Sequence, residues 1–427
     1  MISNRFSKPP GISCVILFML LLISNPARLA GQYSSNSLYS VFGIGELVPS
    51  SFAKQSGMGR AGVALASDGF INSMNPASLT AFSSTDVLMD FGINAYYSAY
   101  SSNGESVSAF DANFDHFALA FPVANWWGSS IGLKPFSEIG YSISTTSLYE
   151  GSLDEIETEF TGTGGVSQIY IDNSFKLGKN LSLGLSFSYL TGTVEQTEST
   201  YLQQVGFYDV NTTNSYYLRN IYWGFGFLYD IHLKNDLLSF GISYNPAQDL
   251  ISTYMHDVTV LNEDGDITLT DESESSGSFT IPASLEAGMA YHFNDRLKLV
   301  ADFKIQEWEG NSSVIRAATF TEATSYHFGM EYRPNPDQAG TYFNKIQYRL
   351  GGYYENSYIM VRENQIKDYG ITMGLGFPSR NQKSMVNFSA ELGRMGAVNN
   401  GLVSELYAGF SLDFVLHSDW FTKKKYH

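Results

Sequence analysis

Along most of the chain, apolar and polar residues alternate one by one. From residue 181 the odd positions read Leu181, Leu183, Leu185, Phe187 and Tyr189, and the even ones Ser182, Gly184, Ser186 and Ser188. Residues 221–233 repeat the pattern, with Ile221, Trp223, Phe225, Phe227, Tyr229, Ile231 and Leu233 on one parity and Gly224, Gly226, Asp230 and His232 on the other. Residues 406–416 set Leu406, Ala408, Phe410, Leu412, Phe414 and Leu416 against Tyr407, Gly409, Ser411 and Asp413. A period of two with no helical component describes a β-strand with one apolar face. These runs exceed the roughly five or six residues usual for a globular strand, and suit strands that cross a bilayer with lipid on one face and a polar lumen on the other.

The pattern predicts strands near 85–100, 112–124, 129–146, 166–177, 181–197, 216–233, 237–249, 280–293, 297–309, 323–333, 345–358, 366–377, 384–396 and 402–416. That is an all-β fold, a transmembrane antiparallel barrel of about 14 strands, with twelve or sixteen as the neighbouring even counts. Short connections at 178–180, 234–236 and 294–296 interleave with long ones at 147–165, 198–215 and 250–279. Short turns are expected on the periplasmic side and long loops outside.

Charge divides in the same way. The connection 250–279 holds Asp257, Glu263, Asp264, Asp266, Asp271, Glu272 and Glu274 without a Lys or Arg, whereas Lys179, Lys234, Arg296, Arg380 and Lys383 lie in or beside short turns. The net charge of -17 speaks against a nucleic-acid partner. Asn262-Glu263-Asp264-Gly265-Asp266 offers oxygen ligands but lacks EF-hand spacing and its closing Glu. It reads as a solvated acidic loop, with a bridging divalent ion as the alternative, and neither a defined metal site nor a cofactor is expected.

Residues 1–31 have the three-part layout of a secretory signal: Arg5 and Lys8, the apolar run Ile12 to Ile23, then small residues up to Gly31. The mature chain then starts near Gln32, and Cys14, the single cysteine, leaves with the signal. No further run is long and apolar enough for a spanning helix, which needs about 20 residues. Charged residues make up only 16% and aromatic ones 15%, against about a quarter charged in soluble domains. Export and a lipid-facing barrel together place the protein in the outer membrane of a Gram-negative cell. The last strand is followed by a basic periplasmic tail over 417–427, with Lys423, Lys424 and Lys425, that could touch lipid headgroups or an envelope protein partner.

Residues 32–84 do not alternate. They carry Ser56-Gly57-Met58-Gly59-Arg60-Ala61-Gly62 and, thirteen residues on, Asn75-Pro76-Ala77. Such backbone cannot face lipid, since its polar groups would stay unpaired. The glycine block followed by Asn-Pro-Ala, after the signal and before the first strand, resembles the FadL family of outer-membrane transporters for long-chain fatty acids and other hydrophobic compounds. The resemblance implies a fourteen-stranded barrel (85–416) whose N-terminal segment (32–84) is a lumenal hatch, with Gly57, Gly59, Arg60, Asn75, Pro76 and Ala77 as its motif. It also implies a sideways exit at a kink in the third strand, where Lys134-Pro135-Phe136 interrupts a regular run. Independently of any resemblance, Pro135 removes a ladder donor and belongs at a bulge or bend. Asn245-Pro246-Ala247 reads as an ordinary turn and Pro282 as a strand-start residue.

For a hydrophobic ligand with an anionic head, the inward-facing cations Lys134, Lys304 and Arg349 are the candidates, set against inward Glu138, Asp302, Glu391 and Asp413. The seven His residues are scattered, and His256-Asp257 is an adjacent pair in an outer loop, a weak basis for a nucleophilic system. The chain is therefore expected not to be an enzyme. The leading function is uptake of hydrophobic small molecules such as fatty acids. The alternative is a non-transporting barrel subunit or plug of an outer-membrane secretion complex, of the kind found in Bacteroidetes-like bacteria. A general porin conflicts with the glycine-rich hatch.

Overall fold

Fourteen antiparallel strands, each hydrogen-bonded to its sequence neighbour, run round a barrel that closes where the last strand pairs with the first. The structure is a computed structural model and describes residues 37–82, 86–102, 105–148, 155–202, 209–261, 267–294, 296–309, 319–335, 341–361, 363–379, 383–397 and 402–419. The strands are β1 (Asp86–Ser102), β2 (Glu105–Ala124), β3 (Trp127–Leu148), β4 (Glu155–Leu177), β5 (Leu181–Leu202) and β6 (Asp209–Leu233). Then come β7 (Asp236–Asn245 with Gln248–Leu261), β8 (Ile267–Ile281 with Ser284–Phe293), β9 (Leu297–Gln306) and β10 (Ala323–Tyr332). The wall is completed by β11 (Gln347–Val361), β12 (Asn364–Pro378), β13 (Met385–Gly396) and β14 (Ser404–Asp419). The signal, the acidic stretch 262–266, Arg380 and the tail beyond 419 lie outside the described residues. No described helix is long and apolar enough to cross a membrane.

The outward parity is the expected one: Leu183, Phe187, Tyr189, Ile221, Trp223, Phe225, Leu406 and Phe410 are exposed, whereas Ser182, Ser188, Tyr407 and Asp413 are buried. His232, expected to face inward, is exposed beside the turn. The strands run longer than alternation predicts. Residues 155–165, 198–202, 209–215, 250–261 and 267–279, expected as loops, continue the ladders of β4 to β8. Above the hydrocarbon both faces of a strand meet water, so apolar alternation stops while backbone pairing goes on. His256 accordingly sits in β7, with Nδ1 2.8 Å from Asn214 Oδ1.

Prolines punctuate the wall. Pro246 and Pro282 interrupt β7 and β8 side by side, between the paired rows Asn245↔Ser284 and Gln248↔Ile281. Each was expected as a separate local feature; together they form one break across two adjacent strands, because neither proline can donate to the ladder. Side chains stand in for the lost bonds on β6: Gln248 Oε1 accepts from Trp223 N at 2.9 Å, and its Nε2 donates to Trp223 O at 3.0 Å.

Candidate functional site

Inside the barrel, the N-terminal segment is bonded to inward-facing groups on opposite walls. Its conformation follows from its small residues. A helical turn, Ala53–Ser56, ends in Gly57-Met58-Gly59-Arg60, where Gly59 (φ 67°) and Arg60 (φ 63°) both adopt the left-handed region. The glycines allow backbone-to-backbone contact with the wall. A Cβ on Gly57 would lie 2.8 Å from Gly374 Cα, and one on Gly59 would strike Phe328 O and Gly352. Gly59 N donates to Thr372 Oγ1 at 2.7 Å. Gly62 N and Val63 N both donate to Asp302 Oδ2, at 2.5 and 3.0 Å, an inward carboxylate expected to pair with a cation that instead ties down backbone.

Asn75-Pro76-Ala77 is likewise seated on wall glycines. Asn75 caps the 3₁₀ helix Pro76–Ala81: its Oδ1 accepts from Ala77 N at 3.0 Å, while its Nδ2 donates to Val63 O at 2.9 Å and to Phe227 O of β6 at 3.0 Å. A side chain at Gly226 would run into Asn75 Oδ1, and one at Gly184 into Ala77 N. The glycines of the wall and the motif of the segment are two halves of one fit.

Arg60, just past the helical turn, is the centre of one charge cluster. Its guanidinium stands 3.1 Å from Glu355, 3.6 Å from Asp368 and 3.3 Å from Glu391, with its Cζ 4.0 Å above the Tyr353 ring. Burial works against the Arg60 charge, but Glu391 with Glu355 outweighs it and raises the pKa above the ordinary arginine value. Nearby, burial pushes the Glu46 carboxyl up to about 7, and the Glu405 carboxylate adds to this. On the preceding turn, at Lys54, the balance is inverted. Glu331, fully buried, meets Lys54 at 3.5 Å, Lys298 at 3.4 Å, Arg333 at 3.0 Å and Arg349 at 2.9 Å. Burial pulls the Lys54 ammonium well below its ordinary pKa, against the attraction of Glu331.

The candidate cations therefore separate. Arg349 is fully engaged, with Glu331, with Asn387 Oδ1 at 2.9 Å and with Gln347 Oε1 at 2.7 Å. Lys134 and Lys304 come together in lining a cavity of about 100 Å³ that also touches Pro135 and Phe136. A larger cavity of about 240 Å³ is lined by Lys304 and Arg60 but also by Glu46, Glu138, Glu355 and Glu405. Lys54, Glu331, Glu355 and Asp368 are central to these clusters and were not singled out from the sequence; parity marks the wall residues as inward, but nothing in it shows which of them meet.

Around Pro135 the wall changes partner. β2 pairs with β3 only from Ala124↔Trp127 to Phe117↔Leu133, so residues 105–116 of β2 have no ladder to β3. The β3–β4 register shifts between Pro135 and Ser137. Beyond it β3 takes up the N-terminal segment, with Glu46↔Glu138 and Leu47↔Ser137 paired and Val48 N donating to Phe136 O at 3.0 Å. Phe136 packs edge-on against Tyr222 of β6, centroids 5.6 Å apart. Residues 105–108, at the end of β2 that lacks this partner, are exposed in succession instead of alternating.

A family model described as BamG matches residues 12–427. The chain belongs to the BamG family. No curated protein matches this BamG chain. Among solved structures it is similar to the toluene transporter TodX of P. putida (14% identity, 88% of this chain and 100% of that one, TM-score 0.58). It is also similar to a Pseudomonas aeruginosa FadL homologue (15%, 89% and 100%, 0.56) and to the Ralstonia pickettii toluene transporter TbuX (14%, 86% and 98%, 0.54). At such identities these likenesses concern the fold: the chain carries a closed fourteen-stranded barrel of the FadL type.

Proposed function

We propose that this barrel passes small hydrophobic molecules, long-chain fatty acids among them, from its lumen sideways into the membrane, with residues 37–82 as the hatch. The observation that carries the reading is the parting of β2 from β3 at Phe117↔Leu133, next to Pro135. It leaves a place where the wall lacks backbone bonds and where the cavity holding Lys134 and Lys304 comes close. The solved barrels of similar fold include toluene transporters. In this reading Asn75 fixes the hatch, Pro135 keeps the wall open, and Lys134 with Lys304 meets an anionic head; Arg349, saturated by Glu331, serves the structure.

A second reading is favoured by a different observation. The larger cavity is lined by several carboxylates, and the segment that fills the lumen is fastened by buried ion pairs at Lys54 and Arg60. A non-transporting subunit of an envelope complex needs such a closed, rigid plug, and the tail after β14 supplies one contact for a partner.

Mass spectrometry of small molecules that co-purify with the detergent-extracted protein separates the two, combined with uptake of labelled oleate and toluene by cells expressing it. Bound hydrophobic compounds, and uptake that falls in Pro135→Val, support passage. An empty barrel that brings down another envelope protein at fixed ratio, with no uptake above background, replaces it with the subunit reading.

A further inference from the structure

Where β1, β2 and β14 meet, at the seam that closes the barrel, Asp90, His116 and Asp413 each bring one ligand-type atom to within 4.8 Å of the other two. All three side chains are buried. The register sets Asp413 opposite Gly92, and Gly92 opposite His116, in one row across three strands. Gly92 makes the room, since a Cβ there would lie 2.5 Å from His116 Cε1 and 2.8 Å from Asp413 Oδ1. The β1–β2 register shift between Gly92 and Ile93 leaves Asp115 unopposed on β2, the position of a bulge that re-aims side chains.

The bulged residue orients the histidine. Asp115 Oδ2 lies 2.7 Å from His116 Nδ1, so Nδ1–H donates to the carboxylate, and a neutral ring held this way turns the Nε2 lone pair toward Asp90 and Asp413, the arrangement that carboxylates impose on metal-ligating histidines. Nε2 stands 3.3 Å from Asp90 Oδ1. His116 Nε2, Asp90 Oδ1 and Asp413 Oδ1 are all buried without a hydrogen-bond partner, although buried polar groups are normally satisfied. The N-terminal segment covers the group: Ala53 N donates to the other Asp413 oxygen at 2.6 Å, and the Phe52 ring lies flat on His116 with centroids 3.4 Å apart.

We propose that Asp90, His116 and Asp413 bind one divalent transition-metal ion, with zinc the best fit, and that Asp115 is a positioning residue. One imidazole nitrogen and two carboxylate oxygens are borderline donors of the kind zinc accepts, whereas calcium takes oxygen alone. Bonds of about 2.0–2.2 Å in a tetrahedral shell set neighbouring ligand atoms about 3.3–3.6 Å apart, and His116 Nε2 and Asp90 Oδ1 stand 3.3 Å apart. A dication satisfies three orphaned acceptors together and offsets the excess of three carboxylates over one imidazole. It would also fasten the first strand to the last and to the turn at Phe52. This departs from the sequence expectation of no defined metal site, because the three residues lie on strands far apart in the chain.

The test uses the full-length protein in detergent, stripped with a chelator, reloaded with zinc and dialysed. Metal content and the zinc X-ray absorption spectrum are then read for the wild type, His116→Gln, Asp413→Asn and Asp115→Asn, with folding checked by the heat-dependent gel shift of the barrel. The expected result is one zinc per wild-type chain with a histidine nitrogen in its shell, loss in His116→Gln and Asp413→Asn, and affinity weakened about 10–100-fold in Asp115→Asn. The proposal is overturned if wild type and His116→Gln retain equal zinc, which would mean an adventitious ion only on the acidic hairpins, or if wild type retains none, which would leave a buried imidazolium–carboxylate cluster. Should His116→Gln fail to fold, the wild-type spectrum decides alone: a shell without nitrogen overturns the site.

Discussion

The two charge clusters that hold the lumenal segment, at Arg60 and at Lys54, are electrostatic opposites. Arg60 is one cation among the carboxylates Glu355, Asp368 and Glu391, and Glu331 is one carboxylate among the cations Lys54, Lys298, Arg333 and Arg349. In the first cluster the segment contributes the lone charge and the wall the surrounding ones. In the second the wall contributes the lone charge, and Lys54 of the segment joins the surrounding ones. Each cluster therefore holds an excess of one sign that is tolerable only while its central charge is present, and the segment is fixed by two contacts that fail under opposite conditions. The same division runs through the sequence outside the lumen, where acids crowd the long hairpins and bases the short turns.

The largest expected effect is from Arg60→Ala. It leaves buried carboxylates facing one another and is expected to destabilise the seated segment by about 3–5 kcal/mol, the usual result of removing one partner of a buried pair. Thermal melting in detergent would show it. Mild acid, which neutralises carboxylates, should return part of the loss. Glu331→Gln should cost somewhat less, because Arg333 is partly exposed and can turn to water. Acid should not help this variant, whereas phosphate should. If both variants respond alike to acid, the clusters are not electrostatic opposites.

Asn75→Ala tests the fit that does not rest on charge. It removes one accepted and two donated hydrogen bonds and is expected to cost about 1–2 kcal/mol, the scale of a lost cap. The change should be insensitive to pH and salt, and hydrogen exchange should localise it to residues 63–78.

The smallest effect concerns pH alone. Because the folded Glu46 carboxyl is raised from 4.5 to about 7, the folded state holds its proton more tightly than the unfolded one. Its contribution is complete below about pH 4.5 and is lost as pH rises through about 7. The pairing of residues 46–48 with β3 should accordingly open more readily at pH 8 than at pH 5, read by hydrogen exchange after correction for its intrinsic pH dependence. Glu46→Gln should flatten that difference.

Much of the wall was legible in the chain. Alternation at Leu181–Tyr189 or Leu406–Leu416 follows from lipid on one side and water on the other, so it marks both the strand and its orientation. It fails where that contrast ends, which is why the polar halves of β4 to β8 read as loops. The glycine block and Asn75-Pro76-Ala77 were visible as a departure from alternation. Their partners Gly184 and Gly226 looked like ordinary small inward residues, because a glycine's need for space shows only when the opposing backbone is in place.

The chain alone carried a barrel, its inward and outward faces, the separate character of residues 32–84 and a break in the regular run at Pro135, since each depends on local order. Which charges meet was decided only by the tertiary structure. Arg60 and Glu391, Lys54 and Glu331, and Asp90, His116 and Asp413 are brought together by strand register and by closure of β14 on β1. Those long-range pairings are set by the whole circle of strands, so no local pattern carries them.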